Sequence, residues 1–316
     1  MDIFFNVLRV TLEEGFMYAV LALGVYITYS ILDFPDLSVD GTVPLGAVTT
    51  GILIIQGVNP WICCLISFIL GMVAGCVTGL LNVKLKIRPL LCGILVMTAL
   101  LSINLVIVMS GTDGLSIVSF FTSPTIFSSG LAEIIPVSIG GFALRTVLIS
   151  FIVAVICKVL LDVFLKTKTG LLLRAAGSNH QYVTMMGRNP GNMKILGLAL
   201  GNGFAALAGS VIAQQKGSAD LQMGTGMVVA GLACVIIGLS LFGKLKFVGA
   251  TSAVILGSII YKACLSAALA MGLPTEYLKL LMAVLFTAAL VASGALSKKQ
   301  GLSLIHISEP TRLALI

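Results

Sequence analysis

Residues 94–109 read Ile-Leu-Val-Met-Thr-Ala-Leu-Leu-Ser-Ile-Asn-Leu-Val-Ile-Val-Met. The run carries no charge and no alternation of polar with apolar positions. A bilayer's hydrocarbon core is about 30 Å thick, and about 20 apolar residues in a helix cross it. In lipid every backbone N–H and C=O must be paired inside the protein, so spans are helices or closed barrels. Barrel strands alternate lumen-facing polar and lipid-facing apolar residues. This run is apolar all round, so a helix is predicted. Similar apolar segments fall at 15–32, 43–56, 61–83, 89–109, 144–165, 195–213, 227–242, 248–271 and 277–293. The predicted fold is all-α: a polytopic integral membrane helix bundle of about eight to ten transmembrane helices. It forms one membrane domain over residues 1–300 and leaves no room for a large soluble one. Segments 43–56 and 227–242 are short for a span, which makes them candidates for broken or partly buried helices.

Composition agrees. Of 316 residues, 58% are hydrophobic and 10% charged. The net charge of +7 fits the Lys and Arg retained in cytoplasmic loops, so no nucleic-acid partner is inferred. The seven cysteines sit in apolar segments without metal or redox spacing and read as small buried hydrophobes. Met1–Glu14 lacks a basic stretch followed by a small-residue cleavage site, so the first apolar segment is expected to stay as a span. Lys84, Lys86 and Arg88 fall in one loop, Lys166, Lys168, Arg174, Arg188 and Lys194 in another, and Lys244 and Lys246 in a third. The alternate loops hold Arg9, Lys216 and little else, and residues 111–141 hold no Lys or Arg. The bias predicts an outer N-terminus and an inner C-terminus.

Gly71, Gly75 and Gly79 recur every four residues, as do Gly197 and Gly201. Each set lies on one helix face and lets a neighbouring backbone come close. The neighbour is either another helix of the same subunit or a second subunit.

The least membrane-like stretch is Asp33-Phe-Pro-Asp-Leu-Ser-Val-Asp-Gly-Thr42. An Asp at the centre of a spanning helix costs about 2.5–3.5 kcal/mol on insertion scales. Its carboxylates therefore belong in a loop or against a polar cavity. Pro35 breaks helix before it, and Asp40 or Thr42 can cap the helix that follows. The stretch is either a plain turn with caps or a broken-helix element along a translocation path, in which case Asp36, Ser38, Asp40 and Thr42 shape that path. Ala219-Asp-Leu-Gln-Met-Gly-Thr-Gly226 echoes it, adding Asp220. Paired interruptions in corresponding halves point to inverted-repeat transporters, although so short a match also arises by chance.

The basic loop 166–194 contains Thr169–Asn179 and Met185–Pro190. Leu171–Ala176 is predicted to form a short helix stopped by Gly177, and Arg188–Gly191 a turn, with Asn192 capping the next span. Such a rigid knob suits a groove on another protein; a solvated basic loop is the plainer reading.

Arg174-Ala-Ala-Gly-Ser-Asn179, Gly187-Arg-Asn-Pro190 and Gly197–Gly209 resemble the coupling region of permease subunits of ATP-binding-cassette importers, in the branch of branched-chain amino-acid and ribose permeases. Residues 32–42 are similar to the subgroup associated with tryptophan and tyrosine uptake. The resemblance covers most of residues 10–295. It implies a bacterial inner-membrane permease subunit, not an enzyme, that forms the path for a small solute, with aromatic amino acids first and branched-chain amino acids or sugars next. It implies a separate ATPase gripping the cytoplasmic coupling helix at Arg174, Ala175, Ala176, Gly177, Ser178, Asn179, Gly187 and Arg188. It also implies an extracellular or periplasmic solute-binding protein, a second permease subunit (a homodimer first), a surrounding bilayer and no cofactor. The chain has no Gly-x-x-x-x-Gly-Lys-[Ser/Thr] phosphate loop, which fits a separate motor.

One rival is an ion-coupled secondary transporter, which needs a buried carboxylate on a span. Asp162 stands four residues from Lys158, where an ion pair is the duller account, and Glu276 falls in an outer loop. Lys262 and Tyr261 lie within a span, with Lys262 either snorkelling outward or facing the interior. Another rival, an intramembrane enzyme, lacks His-Glu-x-x-His and Gly-x-Ser-x-Gly, and His180 alone cannot build a metal site. Leu302–Arg312 reads LSLIHISEPTR and resembles a translated sequencing adapter, so 302–316 is set aside as a non-native tail.

Overall fold

A computed structural model describes residues 2–111, 117–129, 144–178, 180–243, 245, 247–274, 277–278 and 280–291. Helix α1, Asp2–Val25, continues as a π-helical turn, Tyr26–Ile31. It is followed by α2 (Val39–Ile55), α3 (Pro60–Val83), α4 (Pro89–Gly111) and a short strand β1 (Ile117–Ser119). Next come α5 (Leu144–Lys166), the 11-residue α6 (Lys168–Ser178), α7 (His180–Met185) and the 27-residue α8 (Pro190–Lys216). Strand β2 (Ser218–Asp220), a 3-10 turn (Leu221–Gly224), α9 (Met227–Phe242), α10 (Ala250–Ala270) and α11 (Leu280–Val291) complete the described chain.

Seven of the described helices are long and apolar enough to span a membrane, and Val39–Ile55 and Leu280–Val291 are shorter apolar helices. These nine coincide with the nine apolar segments of the sequence. The 302–316 tail and Glu276 lie outside the described residues.

Burial sorts the helices into centre and rim. The best spanning windows of α1 and α8 are each 78% buried, against 33% for α4 and α5. Rim helices turn Val106, Leu160 and Val163 outward, each at least 60% exposed, as a lipid-facing surface demands. The core runs along α1 and α8 through Leu21, Leu23, Ile27, Phe204 and Val211.

The recurring glycines resolve as packing within one subunit. A Cβ at Gly71 would strike the Asn202 carbonyl, one at Gly75 the Leu198 carbonyl, and one at Gly79 the Ile195 backbone. All three bring α3 onto α8. Gly201 of α8 in turn packs against Thr28 and Gly24 of α1. Backbone-to-backbone approach of this kind is how helices associate where lipid removes the hydrophobic driving force.

Two helices begin with the same device. Asn59 accepts a hydrogen bond from the Trp61 amide at 3.0 Å ahead of Pro60, and Asn189 accepts one from the Gly191 amide at 2.8 Å ahead of Pro190. Asn takes up a free N–H while Pro sits where no donor is needed. Asn189, rather than Asn192, therefore caps α8: Pro190 already sets the first-turn geometry and leaves Asn192 inside the helix.

The chain ends gather by charge. Val83 of α3 touches Gly191, Gly170 packs on the end of α5, and Gly177 packs on Ile31. Lys84, Lys86, Arg88, Lys166, Lys168, Arg174 and Arg188 thus share one end of the bundle. The opposite end carries the antiparallel β1–β2 pair, with Val118 opposite Ala219.

Candidate functional site

The segment between the π-helical turn and α2 does not stay at the bundle's end. It folds back inside, with Phe34 2% and Asp36 4% exposed. Asp33 starts the re-entry in the left-handed region at φ 52°. Asp36 then accepts hydrogen bonds from the Ser38 amide at 2.9 Å and the Ser38 hydroxyl at 2.6 Å. Its other oxygen accepts from Asn202 Nδ2 at 2.7 Å. Asn202 Oδ1 lies 2.7 Å from the Thr42 hydroxyl and 3.1 Å from that of Ser38. Ser38, Thr42 and Asn202 are fully buried. The buried carboxylate therefore holds three donors, which is what offsets its removal from water.

Asn202 is the thirteenth residue of α8. At a rise of about 1.5 Å per residue it sits about 18 Å from one end of that helix and about 21 Å from the other. The polar cluster accordingly lies near half depth. Sequence reading picked out Asp36, Ser38 and Thr42 but missed Asn202. The available signal was an amide side chain in the middle of an otherwise apolar span, a position that in membranes needs a partner.

Asp40 does something else. Its Oδ1 accepts from the Val228 amide at 2.8 Å and its Oδ2 from the Gly226 amide at 3.2 Å. It caps α9, whose first N–H groups are otherwise free, and not its own α2 as the sequence suggested. The reason is position: Asp40 already lies within the first turn of α2, while Gly226, at φ 84°, turns the start of α9 toward it. Thr42 likewise bonds the Ser38 carbonyl and Asn202 rather than capping. Pro44 has no N–H to offer the Asp40 carbonyl, and Gly224 packs directly on that oxygen.

The two interrupted elements therefore meet. Residues 32–38 enter from the basic end and 221–226 from the end that carries the β1–β2 pair, and Asp40 joins the two elements. Asp220 stays apart: it is half-buried at the end of β2, where its carboxylate accepts from the Gln222 amide at 3.1 Å and starts the 3-10 turn. Further toward the β1–β2 end a hydroxyl ladder ties α2, α3 and α8, with Thr50 2.7 Å from both Ser67 and Ser210. Gln214 Oε1 extends it to the Ile126 amide at 3.0 Å.

At the basic end, α6 runs one residue past Gly177 to Ser178, so this glycine does not stop the helix. Its place is a contact: a Cβ there would collide with the Ile31 carbonyl oxygen. Leu173 and Ala176 bury the inner face of α6 while Arg174 and Ser178 are exposed. Gly187, at φ 69°, makes the turn after α7, leaving Arg188 exposed. Asn179 lies outside the described residues. Arg174, Tyr26, Ser30, Asp33 and Gly177 line one groove between α6 and the end of α1.

Two charged pairs elsewhere on the spans bear on transport. Lys158 Nζ bonds Asp162 at 2.9 Å, and the Thr251 hydroxyl donates to the same carboxylate at 2.7 Å. Both charged side chains are about a third exposed, a rim ion pair rather than a buried proton carrier. Lys262 faces the interior: it is 5% exposed, 2.8 Å from Glu14 and 3.4 Å above the Tyr18 ring.

A family model described as branched-chain amino acid transport system / permease component matches residues 8–290. The chain is 41% identical over 286 residues, 90% of each protein, to a tyrosine transport system permease protein of Clostridioides difficile. It is 31% identical over 210 residues to the autoinducer 2 import system permease protein of Salmonella typhimurium, covering 66% of this chain and 56% of that protein. It is 29% identical over 256 residues to a fructose import permease protein of Bifidobacterium longum, 79% of this chain and 66% of that protein. No solved structure gives a significant match. Permeases of this kind work with a separate ATPase and a substrate-binding protein. The chain belongs to the family of branched-chain amino acid transport system permease components: it is the membrane-spanning, non-catalytic subunit of an ATP-binding-cassette importer in the bacterial inner membrane.

Proposed function

We propose that this permease carries an aromatic amino acid, with tyrosine first. Its identity to a tyrosine transport permease over nine-tenths of both chains supports that reading. Two copies of the chain form the path. The partner ATPase grips α6 and the turn after it, through Arg174, Ala175, Ala176, Gly177, Ser178, Asn179, Gly187 and Arg188. Asp36, Ser38, Asp40 and Thr42 close the path at half depth, and Asp220 stands where the second interrupted element begins.

The observation that carries this mechanism is the seat of α6 on Ile31. Ile31 ends the helix from which residues 32–38 turn inward to Asn202. A push on α6 thus reaches the buried cluster through one short covalent segment. Packed elements have discrete arrangements, so a small shift at one end is passed on as a switch rather than absorbed.

The test is to co-purify the permease with its ATPase and binding protein and reconstitute all three in proteoliposomes. Uptake of labelled tyrosine should require ATP and be competed by tryptophan or phenylalanine more strongly than by leucine or ribose. Stronger competition by leucine or a sugar moves the substrate class. ATP-independent uptake overturns the mechanism.

A further inference from the structure

At the β1–β2 end, α1, the end of α8, α10 and the start of α11 line a cavity of about 270 Å³. Its polar wall is Glu14, Tyr18, Gln215, Lys216 and Lys262. Its apolar wall includes Met17, Leu265, Leu269 and Met282. From this arrangement we infer a ligand site on the permease itself, built for a zwitterionic α-amino acid. Glu14 takes the ammonium, Lys216 takes the carboxylate, and the apolar wall takes the side chain.

Three features of the geometry support the assignment. First, the Lys262–Glu14 pair is a poor device for stability. Drawing the Lys262 ammonium out of water costs about what its attraction to the partly exposed Glu14 returns, and an apolar side chain of the same volume serves as well. Ionisable groups at membrane depth instead mark solute sites. Second, the two members are unequally enclosed. The Lys262 side chain is 6% exposed, while that of Glu14 is 38% exposed and lines the cavity. Lys262 holds one Glu14 oxygen at 2.8 Å, and the other has no hydrogen-bond partner among the described residues. The carboxylate is thus oriented by a buried cation and open on its cavity side to a second one. Third, Lys216 is exposed, ends α8 and lines the same cavity, and among the described residues it forms no ion pair with Glu14. Among the described residues, one fixed anion and one lining cation outside an ion pair, around an apolar floor, match a molecule with ammonium, carboxylate and apolar side chain. The volume falls just below the range of typical small-molecule pockets, which suits one amino acid and not a two-chain lipid.

This site rests on the reading of the chain as an amino-acid permease and names where the solute lands at the outer end. The test uses the full chain in nanodiscs, with labelled tyrosine as probe and tyramine, 4-hydroxyphenylpropionate and leucine as competitors. The expected result is saturable tyrosine binding that needs both charged ends of the ligand, so neither tyramine nor 4-hydroxyphenylpropionate competes well. Lys216→Gln, at an exposed position, and Leu269→Trp, which fills the cavity, should each weaken binding roughly tenfold to a hundredfold, the usual loss with one charge-assisted hydrogen bond. Glu14→Gln should do the same, and the double variant Glu14→Gln/Lys262→Met keeps the test valid if the single change disturbs folding. If leucine binds with the same sensitivity to these variants and tyrosine does not, the site stands and the aromatic reading fails. If the reconstituted importer takes up tyrosine normally while Lys216→Gln and Leu269→Trp are unchanged from wild type, the site fails and the aromatic reading stands. Absence of saturable binding, or recovery of only a lipid from the cavity, also overturns the site.

Discussion

Asn202 donates its side-chain amide to Asp36 at 2.7 Å across 166 residues of sequence, and the two meet near the half-depth of the helix bundle. The bond fixes the re-entrant segment to the central helix α8. Asn202→Leu removes one of the three donors to a buried carboxylate and should cost about 1.5–3 kcal/mol, the range for hydrogen bonds to charged groups. Thermal unfolding of the detergent-solubilised protein measures it. A double-mutant cycle with Asp36→Asn should show a coupling of the same order, and additive losses would mean the two residues act independently.

Asp40 caps α9 from another part of the chain, so Asp40→Ala should expose the Gly226 and Val228 amides. The expected loss is about 0.5–2 kcal/mol. Hydrogen exchange at Val228 should quicken while exchange in the centre of α8 stays slow. Unchanged protection at Val228 would contradict the cap.

Gly75→Leu should destabilise the single subunit, because the new side chain meets the Leu198 carbonyl of α8. Overpacking typically costs about 1–3 kcal/mol, and a clash with backbone lies at the upper end. If the glycines instead served contact between subunits, the variant would lose its oligomeric state and keep its melting temperature. Size-exclusion chromatography beside thermal unfolding separates the two.

Asp162 is tied to Lys158 and Thr251 at the rim. Asp162→Asn should leave ATP-driven uptake within about twofold of wild type, since half-exposed ion pairs contribute about 0–1 kcal/mol. Collapsing proton and sodium gradients should change nothing. Loss of uptake with either treatment would revive an ion-coupled mechanism.

The helices were legible because lipid imposes a length and an apolar surface that composition reveals directly. The nine segments and the shortness of the one at 43–56 follow from local chemistry, whereas 227–242 is part of a 22-residue apolar stretch and Asn189 ahead of Pro190, not Asn192, caps α8. What the sequence hid was tertiary. Asp40 looks like a cap, and nothing local says that the helix it caps begins 187 residues later at Met227. Gly177 looks like a helix stop, and only the approach of Ile31 reveals it as a contact. Asn202, one amide among alanines and glycines, becomes notable once Asp36 stands beside it. The echo between residues 35–42 and 219–226 was too short to read with assurance, yet the two stretches touch. Lys262 needed Glu14, 248 residues away, to show which way it faces.

The central claim is that α6 transmits motion to the interior through its contact with Ile31. The most direct measurement is ATP-driven uptake by the reconstituted importer carrying Gly177→Leu, with membrane insertion and ATPase binding assayed on the same preparation. The account predicts normal insertion and uptake lowered at least about tenfold, because displacing α6 by one side chain misplaces what it must drive. Uptake at the wild-type rate in that variant would contradict it.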